Sequence, residues 1–353
     1  MRGPVLVVGA GLVGTSVGLA LARRGVQVWL RDRSPEHVRT ASGLGAGIAD
    51  PGSGGAGLVV VAVPPDAIAE TVAALLAEHP DAVVTDVGSV KSRPLAQVAA
   101  ASPGALARYV GSHPMAGTEH SGPLAGSAAL FDGRPWAVTP HALASADAVA
   151  AVVALAEACG ALPLRMSPEE HDLAVARMSH LPHLMSVLMA GRLAGAPSGH
   201  LALAGPGVRD VTRVAGSDPV LWEQIVTLNA DALVGFLDDL GSDLATLRSA
   251  VATGDRGGVR ELLSRGNDGT RAIPGKHGGP AAQVASVFVS VPDHPGELAR
   301  LFADAGESEV NIEDVHIDHD PGRPVGVVEL VIQAERAERL LLALEARGWL
   351  THR

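Results

Sequence analysis

A single cysteine, Cys159, stands in 353 residues, so neither an intrachain disulfide framework nor a multi-cysteine metal site is available. Aromatic residues make up only 3%. That leaves the core to Leu, Val, Ile and Ala and removes the stacking platforms on which single-stranded nucleic acids are bound. Basic side chains are in deficit, 27 Lys and Arg against 38 Asp and Glu, for a formal charge of −11. A phosphate-backbone surface needs the opposite balance. Long hydrophobic runs are missing too. The apolar start at 5–8 is too short for a signal-peptide core, and the stretch 173–193 is interrupted by Arg177, His180, Pro182, His183 and Arg192. The expectation is a cytoplasmic protein with no nucleic-acid partner and no membrane span. What is plentiful is apolar: 47% of residues are hydrophobic, ample for a packed core.

Three regions separate by pattern. Over residues 1–165, apolar runs at 5–8, 26–30, 58–63, 82–86, 109–112 and 136–139 alternate with Ala/Leu-rich helical stretches. Continuous apolar strands separated by helices predict an α/β domain with a doubly wound parallel sheet covered on both faces. Over 166–273 the strand signal disappears, and helical patterns fill 169–193, 218–240, 242–253 and 258–265. Residues 274–283 are rich in Gly and Pro and read as a linker. Residues 284–353 then run strand, helix, strand, strand, helix, with 348–353 available as a last strand, the βαββαβ order of a ferredoxin-like domain.

Gly9-Ala10-Gly11-Leu12-Val13-Gly14 matches G-x-G-x-x-G between an apolar run and a helical stretch, and Asp32 follows 23 residues after Gly9. Gly9 permits the tight turn, Gly11 the approach of a pyrophosphate to backbone N–H groups, and Gly14 the close packing of helix on strand. Asp32 would accept bonds from ribose hydroxyls and favour NAD. Arg31 and Arg33 flank it and could pair with a 2′-phosphate, which keeps NADP open.

Polar clusters fall where strands end, the side on which open α/β sheets bind ligands. Asp86-Val87-Gly88-Ser89-Val90-Lys91 is one, and Gly111-Ser112-His113-Pro114-Met115-Ala116-Gly117 another. His113, between small residues and a proline, suits a general base or a loop cap. In the helical region, spacing places Asp172, Ala176, Ser179 and His183 on one face, with Pro182 marking a bend or a local helix start. His180 and His183 at i, i+3 have no convergent third ligand, so no metal is expected. Arg213, in Arg209-Asp210-Val211-Thr212-Arg213, offers a bidentate fork for a carboxylate or an ordinary surface ion pair. Ser217-Asp218-Pro219 reads as a helix start with Trp222 one turn in.

The order GxGxxG, D-x-x-S-x-K, G-x-H-P-M-x-G, H-D-x(6)-S-H-L-P-H, R-D-x-T-R and S-D-P-x-x-W resembles the prephenate dehydrogenase family, with its arogenate and cyclohexadienyl members, across residues 1–270. The tail, with Val291-Pro292-Asp293-His294-Pro295-Gly296-Glu297-Leu298 and Val310-Asn311-Ile312, resembles an ACT regulatory domain. The resemblance implies an NAD-dependent oxidative decarboxylation of prephenate to 4-hydroxyphenylpyruvate. In it His113 accepts the ring hydroxyl proton and Ser89 orients that hydroxyl. Arg213 binds the ring carboxylate, and His183 and Ser179 lie near the substrate side chain. Asp172 and Asp210 give polar support. Gly9, Gly11, Leu12, Val13, Gly14, Asp32, Val63 and Ser89 line the cofactor. Trp222 would reach into the partner subunit's site, making the enzyme a homodimer. Pro295, Gly296, Asn311 and Ile312 would bind an amino-acid effector, tyrosine.

Two other readings stay beside this one. Arogenate is the alternative substrate, against which His183 and the lack of an added acid in Ser179-His180-Leu181-Pro182-His183 weigh. A non-catalytic sensor of NAD and an amino acid is the alternative of another class. Hydride-transfer enzymes of the 6-phosphogluconate and 3-hydroxyisobutyrate type use a lysine in the helical region, and this chain has no lysine between Glu169 and Thr270.

Overall fold

The computed structural model describes residues 3–52, 54–117, 120–273, 283–319 and 325–353. The chain divides into two compact units, residues 1–242 and 243–353, and most of the expected linker lies outside the described residues.

The first unit begins with the run Val-Leu-Val-Val, which forms β1 (Val5–Val8) and is buried along its whole length. Val5 and Val7 pack into one apolar cluster and Leu6 and Val8 into another. A strand sandwiched on both faces needs just such an unbroken apolar run. α1 (Leu12–Arg23), β2 (Val28–Arg31), α2 (Pro35–Gly43), β3 (Ile48–Ala49), β4 (Leu58–Val61), α3 (Ile68–Glu78), β5 (Val83–Asp86) and α4 (Ser92–Ala101) follow. The five strands form a parallel sheet in the order β3-β2-β1-β4-β5. β3 is too short for periodicity to announce it.

The expected continuation as a parallel sheet is corrected at the next strands. β6 (Gly111–Pro114) and β7 (Pro135–Thr139) pair antiparallel, and β7 pairs parallel with β8 (Leu162–Arg165) after α5 (Ala146–Ala158). A parallel bridge between Val84 and Tyr109 tacks this three-stranded sheet beside β5. Apolar content does not encode strand direction, so the reversal was invisible in the sequence.

Residues 168–191 form one bent rod rather than a regular helix. α6 (Pro168–Val175) passes through a π-helical turn, Ala176–His180, into α7 (Leu181–Gly191). Pro182 lacks an N–H and its ring crowds the carbonyl four residues back, and the widened turn relieves this. α8 (Ser198–Leu201), α9 (Pro206–Thr212), α10 (Pro219–Leu228) and α11 (Ala230–Thr253) complete the helical part. The helix break expected near residue 241 falls instead at Asn229, where α10 and α11 meet at 94°. The Asn229 side chain is drawn inward to the backbone carbonyl of Asp172, 2.9 Å away, and that contact replaces helical continuity. No single helix among the described residues is long and apolar enough to cross a membrane.

The second unit carries the end of α11, α12 (Arg256–Arg271) and a four-stranded antiparallel sheet, β10-β11-β9-β12. Its elements are β9 (Val284–Pro292), α13 (Glu297–Glu307), β10 (Ile312–His319), β11 (Val325–Gln333), α14 (Ala337–Glu345) and β12 (Leu350–His352). Val287, Val289, Leu301, Leu330, Leu340 and Leu344 form its core, with both helices against one sheet face. This is the expected ferredoxin-like order. The segments expected to bind an effector, Pro295–Gly296 and Asn311–Ile312, lie at opposite ends of the sheet within one chain. Ile312 pairs with Ile332, which pairs with Ala285 at the start of β9, whereas the Pro295–Gly296 turn follows Pro292 at its end. Seven residues of strand, about 24 Å, separate the two places. Gly296 has φ +96°, a left-handed conformation that suits glycine at the helix entry. Asn311 donates to the Glu313 carboxylate at 3.1 Å.

Candidate active site

The nucleotide cradle is built by three glycines in different ways. Gly9 has φ +102°, and a Cβ there would meet the carbonyl oxygen of Ala62 at 2.2 Å. A Cβ on Gly14 would meet the Gly9 carbonyl oxygen at 1.8 Å, so both are needed to close helix α1 on β1. A Cβ on Gly11 would meet nothing within 4 Å. Its backbone faces open space, and no acceptor among the described residues reaches the N–H groups of Leu12 and Val13 at the helix start. Asp32 accepts from the N–H of Ala10 and of Ser34, both at 2.7 Å, and so pins the loop to the end of β2. Arg31 is not available to a phosphate: its guanidinium is forked to Glu78 at 2.7 and 2.8 Å and bonded to Asp50 at 2.6 Å. Those carboxylates hold it well above its ordinary basicity. Val63 is half-buried just past β4.

Beneath the strand ends lies a buried polar knot that composition does not announce. Lys91 and Asp86 form an ion pair with both side chains inaccessible to solvent. Lys91 Nζ also donates to the Ser112 carbonyl oxygen at 2.6 Å, and the chain's one tyrosine, Tyr109, donates to Asp86 Oδ2 at 2.7 Å. Burial pulls the Lys91 ammonium down and the Tyr109 hydroxyl up. The knot ties the end of β5 to β6 and so sets the place of His113. Ser89, in the turn above Lys91, is half-buried and its hydroxyl has no partner among the described residues.

His113 Nδ1 lies 2.9 Å from His171 Nε2, and His171 Nδ1 lies 2.9 Å from Asp172 Oδ1. Asp172 accepts further bonds from the backbone N–H of Lys91 and Ser92, each 2.8 Å, at the entry to α4. Burial lowers the basicity of His113 well below its ordinary value and that of His171 below its own. The bonds to His171, Ser92 and Lys91 outweigh burial at Asp172 and keep its carboxyl acidic. The site thus holds two neutral imidazoles in line with a carboxylate.

The π-helical turn adds one residue to the inward face. Asp172, Ala176 and His183 are buried as the spacing predicts, but His180 is buried as well while Ser179 is half-buried. His180 Nδ1 meets Asn229 Nδ2 at 3.0 Å, and burial depresses its pKa to about 4. The His183 ring stacks flat on Trp222. Within one chain, Trp222 thus lies against the site residue His183. Arg213, in the turn after α9 that packs against α7, is exposed and has no ion pair among the described residues, and Asp210 is exposed too. No group of three or more His, Cys, Asp and Glu side chains among the described residues is arranged to hold a metal ion.

The sequence matches the profile described as prephenate dehydrogenase, nucleotide-binding domain, over residues 17–163 and that described as prephenate dehydrogenase, dimerization domain, over 167–265. The chain belongs to the prephenate dehydrogenase family. It is 38% identical over 98% of both chains to the probable prephenate dehydrogenase NovF of Streptomyces niveus. It is 36% identical to the cyclohexadienyl dehydrogenase of Zymomonas mobilis, over 71% of this chain and 89% of that one. Among solved structures, that of the Aquifex aeolicus prephenate dehydrogenase in complex with hydroxyphenyl propionate and NAD+ superposes with a TM-score of 0.70. It is 27% identical and covers 76% of this chain and 98% of that one.

Membership of the prephenate dehydrogenase family makes the chain an NAD-dependent dehydrogenase and sets aside the sensor reading. The open backbone at Gly11 and the carboxylate of Asp32 fit the nucleotide such an enzyme needs. Asp86, Lys91, His171 and His180 lie in the clusters and motifs quoted from the sequence but were given no part in the reaction, and they stand in the site with Asn229, which no motif marked. The partners of these five lie up to 81 residues away in sequence.

Proposed function

We propose that the protein is a prephenate dehydrogenase that oxidatively decarboxylates prephenate to 4-hydroxyphenylpyruvate and CO2, reducing NAD to NADH. The observation that carries this reading is His113 itself, an imidazole kept neutral by burial at a strand end and joined to α6 through His171. Bound NAD would supply the hydride acceptor for the ring carbinol carbon. Gly11, the first N–H groups of α1 and Asp32 would hold it.

His113 takes the proton of the ring hydroxyl as the carbinol becomes a carbonyl, and Ser89 orients that hydroxyl. Loss of CO2 sends its electron pair through the ring to the carbonyl oxygen. That oxygen, now phenolic, takes the proton back from His113, so the base is unchanged after a turnover. Arg213 holds the ring carboxylate, with its free guanidinium suited to a bidentate contact. His183, flat on Trp222, forms a wall for the side chain, with Ser179 beside it and Asp210 as outer support. Aromatisation supplies driving force, so the residues mainly place the substrate against the nicotinamide.

Arogenate is the second reading, favoured by likeness to a cyclohexadienyl dehydrogenase. No acidic side chain bonds to His183 among the described residues, which supports prephenate. The domains are taken as 1–165 for nucleotide, 166–273 for substrate and dimerisation and 284–353 for regulation. Leu188, Met189, Leu203, Val220 and Val234 expose apolar surface on the helical part, which supports a homodimer. The C-terminal sheet domain is read as an ACT domain that binds tyrosine. Because its two motif segments lie at opposite ends of the sheet, one chain alone would not bring both to a ligand.

The test is the initial rate of NADH formation with prephenate or arogenate, crossed with NAD or NADP, for the wild type and His113→Asn. Turnover of prephenate with NAD that falls by about 10²–10⁴ in the variant is expected. Turnover of arogenate alone would overturn the substrate. L-tyrosine should inhibit and raise the melting temperature, and an unchanged rate and melt would remove the effector.

A further inference from the structure

Resting on the assignment of His113 as base, we infer that His171 and Asp172 fix His113 in its Nδ1–H tautomer, leaving Nε2 as the lone pair that takes the substrate's proton. His171 and Asp172 are positioning residues: their bonds run to His113 and to α4, on the side away from that nitrogen.

The assignment follows from donor counting. Asp172 accepts two backbone N–H bonds and is ionised, so its Oδ1 requires a donor from His171 Nδ1, 2.9 Å away. A neutral His171 has one proton, which this bond uses, and its Nε2 can then only accept. His113 Nδ1, 2.9 Å from that nitrogen, must be the donor. The reverse arrangement would set the lone pair of His171 Nδ1 against a carboxylate oxygen at 2.9 Å. Burial keeps both imidazoles uncharged, which the count requires. Edge-to-face placement of the two rings, centroids 5.2 Å apart with planes at 71°, leaves the Nε2 side of His113 turned from His171.

The charged and titratable groups facing His113 are His171 and Asp172 on α6, His180 in the π-helical turn, and Lys91 with its partner Asp86 beside β6. Lys91 and the two histidines oppose a positive His113. Asp172, reached through His171, attracts it. The relay therefore does two things: it orients the base before the reaction and moderates its charge afterwards. Asp172 also accepts the Lys91 and Ser92 N–H groups, so the element that aims the base is locked to the turn that carries Ser89.

The experiment uses full-length, NAD-loaded protein with ¹⁵N-labelled histidine, with long-range ¹H–¹⁵N spectra recorded near pH 7.5. The His113 signals are identified by their loss in His113→Asn. The wild type is expected to show the Nδ1–H pattern. Asp172→Ala removes the acceptor of the His171 Nδ1–H, so both tautomers lose their constraint and His113 should lose the uniform Nδ1–H pattern. Its kcat with prephenate should fall by about 10²–10⁴ while the NAD Kd stays within about threefold. His171→Leu should lose activity to a similar degree. His171→Gln, whose carbonyl can accept from His113, should recover at least about tenfold over His171→Leu. This pair decides the matter if Asp172→Ala fails to fold. A wild-type Nε2–H pattern overturns the inference. So does an Asp172→Ala protein with wild-type tautomer and rate, or equal rates for the two His171 variants. If wild-type protein turns over neither prephenate nor arogenate, the substrate assignment fails, while the spectra still report the relay.

Discussion

The imidazole of His183 lies flat on the indole of Trp222, with ring centroids 3.4 Å apart and planes within 1°. His180 meets the same indole edge-on at 6.0 Å. One tryptophan on α10 thus fixes two histidines on the bent rod of α6 and α7. An aromatic pair contributes about 0.5–1.5 kcal/mol beyond the area it buries. Trp222→Ala should therefore raise KM for prephenate by roughly 2–10-fold with kcat nearly held, read from steady-state kinetics. A collapse of kcat with unchanged KM would place Trp222 in the chemical step instead.

The glycines of the nucleotide loop should separate folding from binding. Gly14→Ala forces a Cβ onto the Gly9 carbonyl oxygen, and its melting temperature should fall clearly. Gly11→Ala has open space for its Cβ, so it should melt with the wild type yet weaken NAD by roughly tenfold or more, because the methyl occupies the approach to the backbone. Calorimetric melts and NAD titration check both. Equal NAD affinity in Gly11→Ala would mean the pyrophosphate lies elsewhere.

Lys91 and Asp86 bury opposite charges side by side. Removing one partner strands the other, at about 3–5 kcal/mol. Lys91→Met and Asp86→Asn should each show that loss in urea unfolding. The double variant should lose less than the sum of the two. Strict additivity would show that the pair is not coupled.

Acid should weaken the fold through the buried imidazoles. The folded-state pKa of His180 is about 4 against an ordinary 6.5, and those of His113 and His171 are lowered too. Between these values the unfolded chain binds more protons than the folded one, so stability is full above pH 6.5 and is lost as pH falls toward 4. His180 alone should account for on the order of 2 kcal/mol. Urea midpoints at pH 7, 5.5 and 4.5 should decline in the wild type and decline less in His180→Gln. Equal slopes would remove His180 from the account.

Much of this protein is written locally. The Val5–Val8 run specifies a strand covered on both faces, and Gly9, Gly11 and Gly14 specify a turn that a side chain would block or fill. The β-α-β-β-α-β order of the C-terminal region follows from periodicity and turn residues within short windows. Each of these depends on neighbours along the chain, and residue type alone carries it. His113 and Ser89 stood out for the same reason, as polar residues at predicted strand ends.

Contacts across long separations were decided by the path of the chain through space. Strand direction in β6 and β7 and the break at Asn229 came from packing that no local pattern records, whereas the bend before Pro182 was marked by the proline itself. The relay from His113 to His171 spans 58 residues and the bond from Lys91 to Asp172 spans 81. Propensity says which residues can form a strand or carry a proton. Which imidazole meets which carboxylate depends on burial of apolar faces far apart in the chain, and only that packing sets His113 in line with His171 and Asp172.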